Sequence, residues 1–206
     1  MTRKTDATSK RRELNIPADA FVVVIGSTRS EEEERLVIEA IAEVGIESLH
    51  VIHAPRHLER VPALKAAVEA LFQTVSLRST PPYDARYMIL DTYGELSQIY
   101  AVADVVIIGG GFANHGGQNL LQPLAHGKPV LHGPHMQNFG DVARASLAAG
   151  ASIECATALK LAEQIKELQT NPEKRKLMGE AAANFISQNQ GAAKRYAQAI
   201  AEHLVS

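Results

Sequence analysis

The sequence lacks what several classes of protein require. Its 206 residues carry 21 Lys and Arg against 23 Asp and Glu, so no basic excess points to nucleic acid as the main partner. No apolar run approaches the roughly 20 residues of a membrane-spanning helix; the longest, 21–25 and 104–108 with its flanks, fall far short. Residues 1–12 are polar, without the apolar core of a signal peptide. The single cysteine, Cys155, excludes an internal disulfide and fits a reducing compartment. Two nucleotide fingerprints are missing as well: Gly26-Ser27-Thr28-Arg29 contains no G-x-G-x-x-G, and no G-x-x-x-x-G-K-[ST] occurs, which argues against NAD and against a P-loop ATPase. A cytoplasmic protein is expected, and 46% apolar residues are ample for a buried core.

What the chain does have is alternation. Short β-branched runs at 21–26, 48–54, 74–77, 87–90, 104–108, 129–131 and 152–155 read as strands, with helical patterns at 31–44, 59–71, 94–102, from near 119 to 127, and 139–149. A helical tail follows, expected to break at Pro172 and near Gly191. That order predicts an α/β fold, a Rossmann-like parallel sheet flanked by helices. Residues 1–13 read as a linker remnant, 14–206 as one domain, and 172–206 as its carboxyl-terminal helical segment.

Ligands of open α/β sheets sit beyond the carboxyl ends of the strands. Here those ends carry Gly26-Ser27-Thr28-Arg29, Pro55-Arg56-His57, Arg78-Ser79, Asp91 to Glu95, the glycine-rich run Gly109 to Pro123, and His132 to Asn138. Glycines free backbone N–H groups and allow close approach, while guanidinium pairs with phosphate oxygens, so a phosphate-bearing ligand is expected. Asp91 and Glu95 read as caps of the helix near Gly94 rather than as catalytic groups. His53, His57, His132 and His135 match no metal-ligand spacing, and neither a metal nor another cofactor is expected.

The order of these motifs resembles the carboxyl-terminal half of the 3-deoxy-D-manno-octulosonic acid (Kdo) transferases, GT-B glycosyltransferases. The resemblance runs from about Leu14 to Gly191. It rests on Ile25 to Arg29 with the glutamates that follow, Ala54-Pro55-Arg56-His57, Asp91 to Leu96, Tyr100 to Asp104, Gly109-Gly110, Gly116 to Pro123, Gly127 to Val130 and Gly133 to Phe139. It implies one half of a GT-B fold that binds the donor CMP-Kdo, with the lipid A precursor and the catalytic base on an amino-terminal half, and peripheral association with the inner membrane in the full enzyme. No catalytic residue is then expected in this half, which would be inactive alone, and the chain reads as an excised piece.

Position by position, the resemblance places Ser27, Thr28 and Arg29 at the interdomain cleft and Pro55 and Arg56 beside the cytidine. It places Gly109, Gly110, Gly116, Gly117 and Asn119 at the CMP phosphate, Gln122 at the ribose hydroxyls, and Met136 and Asn138 at the donor sugar. The family usually has His where this chain has Gln118 and Glu where it has Gln122, and a more basic segment at 112–115. A glutamine amide offers one acceptor oxygen where a glutamate offers two, so weaker ribose binding is expected. Two other readings stay open on these residues: a non-catalytic nucleotide-binding module, and another GT-B enzyme that uses a UDP-sugar.

Overall fold

Seven apolar segments pair side by side in the computed structural model, which describes residues 6–203 and the side chains of 6–189. They are β1 (Phe21–Thr28), β2 (Leu49–Pro55), β3 (Ser76–Leu77), β4 (Tyr87–Ile89), β5 (Val105–Ile108), β6 (Val130–His132) and β7 (Ser152–Glu154). All pairings are parallel, in the order β3-β4-β2-β1-β5-β6-β7. Each lies on a segment that the sequence marks as a strand. Val22, Val23, Val24 and Ile25 are wholly buried, because β1 is central and covered on both faces, which is why its run is continuously apolar.

Alternate residues serve opposite faces. Phe21, Val23 and Ile25 meet Val37 and Ile41 of α2 (Glu31–Val44), Leu64 and Val68 of α3 (Val61–Phe72), and Leu161 and Ile165 of α7 (Ala158–Thr170). Val22 and Val24 meet Leu14 at the end of α1 (Ala7–Glu13), Ile99 of α4 (Leu96–Ile99), Leu124 of α5 (Leu121–Ala125), Ala143 of α6 (Gly140–Ala148), and Ala182 and Phe185 of α8 (Pro172–His203). Capping fixes the helix ends: Ser30 accepts from the Glu33 amide at the start of α2, and Gly45 closes it at φ 62. Among the described residues no helix is long and apolar enough to cross a membrane.

From β1 the chain builds β2, β3 and β4 on one side, then crosses to build β5, β6 and β7 on the other. The strand order therefore reverses between β1 and β5, and the loops that leave these two strands open a crevice.

Several boundaries differ from expectation. The helix expected from residue 94 starts at Leu96, lasts four residues and runs into a 3-10 turn, Tyr100–Val102. The one expected from near Asn119 starts at Leu121, because the Asn119 side chain accepts the Leu121 amide at 2.8 Å and stays outside the helix. The tail does break at Pro172, between the end of α7 at Thr170 and the start of α8, where the missing N–H costs nothing. Gly191 does not break that helix; a mid-helix glycine costs only about 1 kcal/mol, less than a break requires.

Within the segment read as a linker, residues 7–13 form α1, and Arg11 fastens it to the sheet. Its guanidinium donates to the Val102 carbonyl at 2.9 Å, the Ala20 carbonyl at 3.3 Å and Asp104 Oδ2 at 2.8 Å. Asp104 Oδ2 also accepts the Val22 amide at 2.9 Å, so one ion pair couples α1 to the base of β1. Arg11→Ala is expected to lower the unfolding free energy by about 1–3 kcal/mol, read by urea denaturation; an unchanged midpoint would mean that the Arg11 bonds contribute nothing to the fold.

Candidate functional site

β1 ends in a bulge that gives the crevice its floor. Register with β2 shifts between Gly26 and Thr28, and Ser27 there takes φ 65, a left-handed conformation that non-glycine residues seldom adopt. The glycine-rich loop after β5 comes down directly on this bulge. A Cβ at Gly109 would lie 2.6 Å from the Thr28 nitrogen and 2.7 Å from the Ser27 carbonyl oxygen, so only glycine fits. Further along, Gly117 has φ 78, and a Cβ there would lie 2.5 Å from the Met136 sulfur, leaving no room for a side chain.

A carboxylate holds the two loops together. Glu33, fully buried in the first turn of α2, accepts the Arg29 amide at 2.9 Å with Oε2 and the Phe112 amide at 3.1 Å with Oε1. Backbone bonds complete the arch: Gly117 N–H to the Gly110 carbonyl at 2.8 Å, His135 N–H to Gly111 at 2.9 Å, and Asn138 N–H to Gly116 at 2.9 Å. Among the described residues, the N–H groups of Gly116, Gln118 and Asn119 donate to no protein group. Such amides at the mouth of a crevice suit an anion.

The structure brings Ser27, Arg29, Gly109, Gly110, Gly116, Gly117 and Asn138 into one place. The Arg29 guanidinium and the Asn138 amide both donate to the His115 carbonyl, each at 3.4 Å. Arg56 is exposed beside them, its amide bonded to the Thr28 carbonyl at 2.8 Å, and Pro55 is buried opposite Thr28 at the end of β2. Asn119 and the exposed Gln122 continue the loop into the first turn of α5. Thr28 and Met136 are buried, so they shape the crevice from beneath and present neither hydroxyl nor sulfur to solvent. Glu95 occupies the cap position of α4 but neither it nor Asp91 caps the helix with its side chain: Asp91 accepts the Ser79 amide at 2.8 Å and the Ser79 hydroxyl, while Glu95 binds Arg78 at 2.9 Å, Lys10 at 3.4 Å and the Thr92 hydroxyl at 2.7 Å. Those ties bind α1 to the loops after β3 and β4, and with Thr92 and Arg78 they hold the Glu95 carboxyl below its ordinary range against the opposing effect of burial.

Two features are absent from the sequence reading. Glu33 has a partial signal, since Ser30-x-x-Glu33 is a capping-box spacing. The other is a buried row: the Thr28 hydroxyl meets His53 Nε2 at 2.8 Å, and His53 Nδ1 meets the Tyr87 hydroxyl at 2.8 Å. Burial depresses the His53 pKa to about 3 and raises that of Tyr87, so the imidazole is neutral and acts as one donor and one acceptor. Three cavities lie away from the crevice, one lined by Ile46, Phe72 and Tyr87 and two around Lys128. Among the described residues no three His, Cys, Asp or Glu side chains group as a metal site.

Two consequences are measurable. Glu33→Gln keeps one acceptor but turns an N–H toward an amide donor, so it should cost about 1–3 kcal/mol and quicken hydrogen exchange at the Phe112 amide. The folded His53 titrates below its unfolded value of 6.5, so the unfolded chain binds the extra proton first. Stability from this group is complete above about pH 6.5 and falls as the pH descends toward 3, with a slope of up to about 1.4 kcal/mol per unit; denaturation at pH 7, 6 and 5 should show a shallower fall for His53→Gln.

Comparison with known proteins returns no matching family model. Over 192 residues, 89% of its length, the chain is 35% identical to a 3-deoxy-D-manno-octulosonic acid transferase of Bordetella pertussis. It is 31% identical over 188 residues to the enzyme of the same name from Chlamydophila psittaci. It spans 45% and 43% of the lengths of these relatives. Among solved structures, the C-terminal CMP-Kdo binding domain of WaaA from Acinetobacter baumannii superposes with a TM-score of 0.80 at 24% identity, covering 87% of this chain and 95% of that domain. The seven-stranded parallel sheet with its reversal between β1 and β5 is thus that of a GT-B glycosyltransferase domain, and the chain is a homologue of the 3-deoxy-D-manno-octulosonic acid transferases.

Proposed function

We propose that this chain binds the donor CMP-Kdo in a glycosyltransferase that transfers Kdo to a lipid A precursor in lipopolysaccharide core synthesis. The observation that carries the reading is the crevice between β1 and β5, where the unpaired amides of Gly116, Gln118 and Asn119 and the guanidinium of Arg29 converge in a homologue of Kdo transferases. In this reading residues 14–206 form the donor domain, with α1 docked against it, and 172–206 its closing helical segment.

The amides hold the CMP phosphate, Arg56 lies beside the cytidine, Gln122 meets the ribose hydroxyls and Asn138 borders the sugar. An acceptor hydroxyl attacks the anomeric carbon with inversion while CMP leaves. Charge that develops on the departing phosphate falls where backbone N–H dipoles are already oriented, without a metal. The base that takes the acceptor proton and the acceptor site belong to the rest of the enzyme, which works from the cytoplasmic side at the inner membrane.

A second reading, a UDP-sugar as donor, rests on the glycine-rich loop, whose free amides would hold the phosphate of a uridine nucleotide as well; Gln122 does not choose between the two, since both nucleotides carry the ribose. Calorimetric titration with CMP and UDP separates the two. CMP should bind in preference to UDP, Arg56→Ala should weaken it by about tenfold, and Gln122→Glu should tighten it. Preference for UDP would transfer the assignment to the second reading, and binding of neither would remove both.

A further inference from the structure

The row Thr28, His53, Tyr87 lies directly under the bulge and takes no part in the function just described. All three residues are at most 2% exposed, and both ring nitrogens of His53 are paired. Thr28 is where the row meets the site. Its carbonyl holds the Arg56 amide at 2.8 Å, its nitrogen lies 2.6 Å from where a Cβ at Gly109 would fall, and it follows the left-handed Ser27. Gly109 is in turn fixed by its own amide, which donates to the Gly26 carbonyl at 2.8 Å. The threonine hydroxyl would otherwise be a buried polar group without a partner, which costs more than the bond contributes and would drive the strand end to move. Among the described residues His53 is the β2 side chain that hydrogen-bonds Thr28, and Arg56 directly follows that strand.

We propose that His53 is a positioning residue: through the Thr28 hydroxyl it sets the height of the Ser27 bulge, and with it the spacing of Arg56 from the glycine-rich loop. The proposal deepens the donor-binding reading and rests on it for the ligand, but its structural part can be read without one. The imidazole is the right group for the task because burial keeps it neutral, so it offers Thr28 and Tyr87 complementary roles, donor on one nitrogen and acceptor on the other. The Tyr87 hydroxyl orients the ring and does not touch the site loops.

The test uses the full chain and four substitutions that dissect the row. His53→Gln keeps a polar atom near the Nε2 position, which faces Thr28, whereas His53→Asn keeps one near Nδ1, which faces Tyr87. Thr28→Val is isosteric and removes only the hydroxyl, and Tyr87→Phe removes the far end alone. Amide hydrogen exchange and CMP titration are read together with the melting temperature. Thr28→Val and His53→Asn should quicken exchange at Arg56 and Gly109 by about tenfold and weaken CMP by a similar factor. His53→Gln and Tyr87→Phe should leave both within about twofold, although Tyr87→Phe also lowers the melting temperature.

Unchanged exchange and CMP affinity in Thr28→Val and His53→Asn would overturn the proposal. So would losses in all four variants that simply track the melting temperature, since that is the signature of a general core role. If the unsubstituted chain binds no CMP while the exchange pattern holds, the donor reading fails and the positioning role stands. Should His53→Asn not fold, Thr28→Val against Thr28→Ser, which restores the hydroxyl, decides the same point.

Discussion

The buried carboxylate of Glu33 is the interaction on which the crevice depends. β1 and β5 leave the sheet as neighbours, and beyond the strand ends one side chain joins their loops again by accepting an amide from each. A carboxylate suits the position because it offers acceptors only, at the amino end of a helix whose dipole favours negative charge. The bulge, the approach of Gly109 and the arch from Gly110 to Gly117 all presuppose that the two loops are held at this separation.

Around that joint the domain divides its labour. The face covered by α2, α3 and α7 is densely apolar and holds the joint from below, while the other face, covered by α1, α4, α5, α6 and α8, is fastened at its rim by charge: Arg11 with Asp104 near the base of the sheet, Lys10, Arg78 and Glu95 near the loops. Both faces bury large apolar clusters, and on the second the short helices and loops are held in addition by side-chain bonds. The candidate site residues lie in such loops, as sites mounted on a rigid scaffold commonly do.

Much of this was legible in the sequence. All seven strands were, because β-branched runs between turn residues have few alternatives, and so was α2, with its Ser30 cap and apolar stripe. The fate of short helices was not: α4 and α5 owe their starts to a tertiary network at Glu95 and to the side chain of Asn119, neither of which has a periodic signature. The positions of the glycines, Arg29, Arg56 and Asn138 followed from their place after strands. The inward turn of Thr28 did not, since a bulge reverses alternation and nothing local announces it. A histidine inside a strand, such as His53, reads the same whether it is satisfied or exposed, and only its neighbours in space reveal the difference.

Ser27 shows what such a joint demands of the chain. A serine held at φ 65 carries strain of about 1–2 kcal/mol that glycine would not. Relaxing it with glycine would favour the folded state locally, yet it would also let the bulge wander among conformations now forbidden to it. Here the more comfortable backbone would be the less prepared one, so thermal robustness and readiness to bind pull this residue in opposite directions.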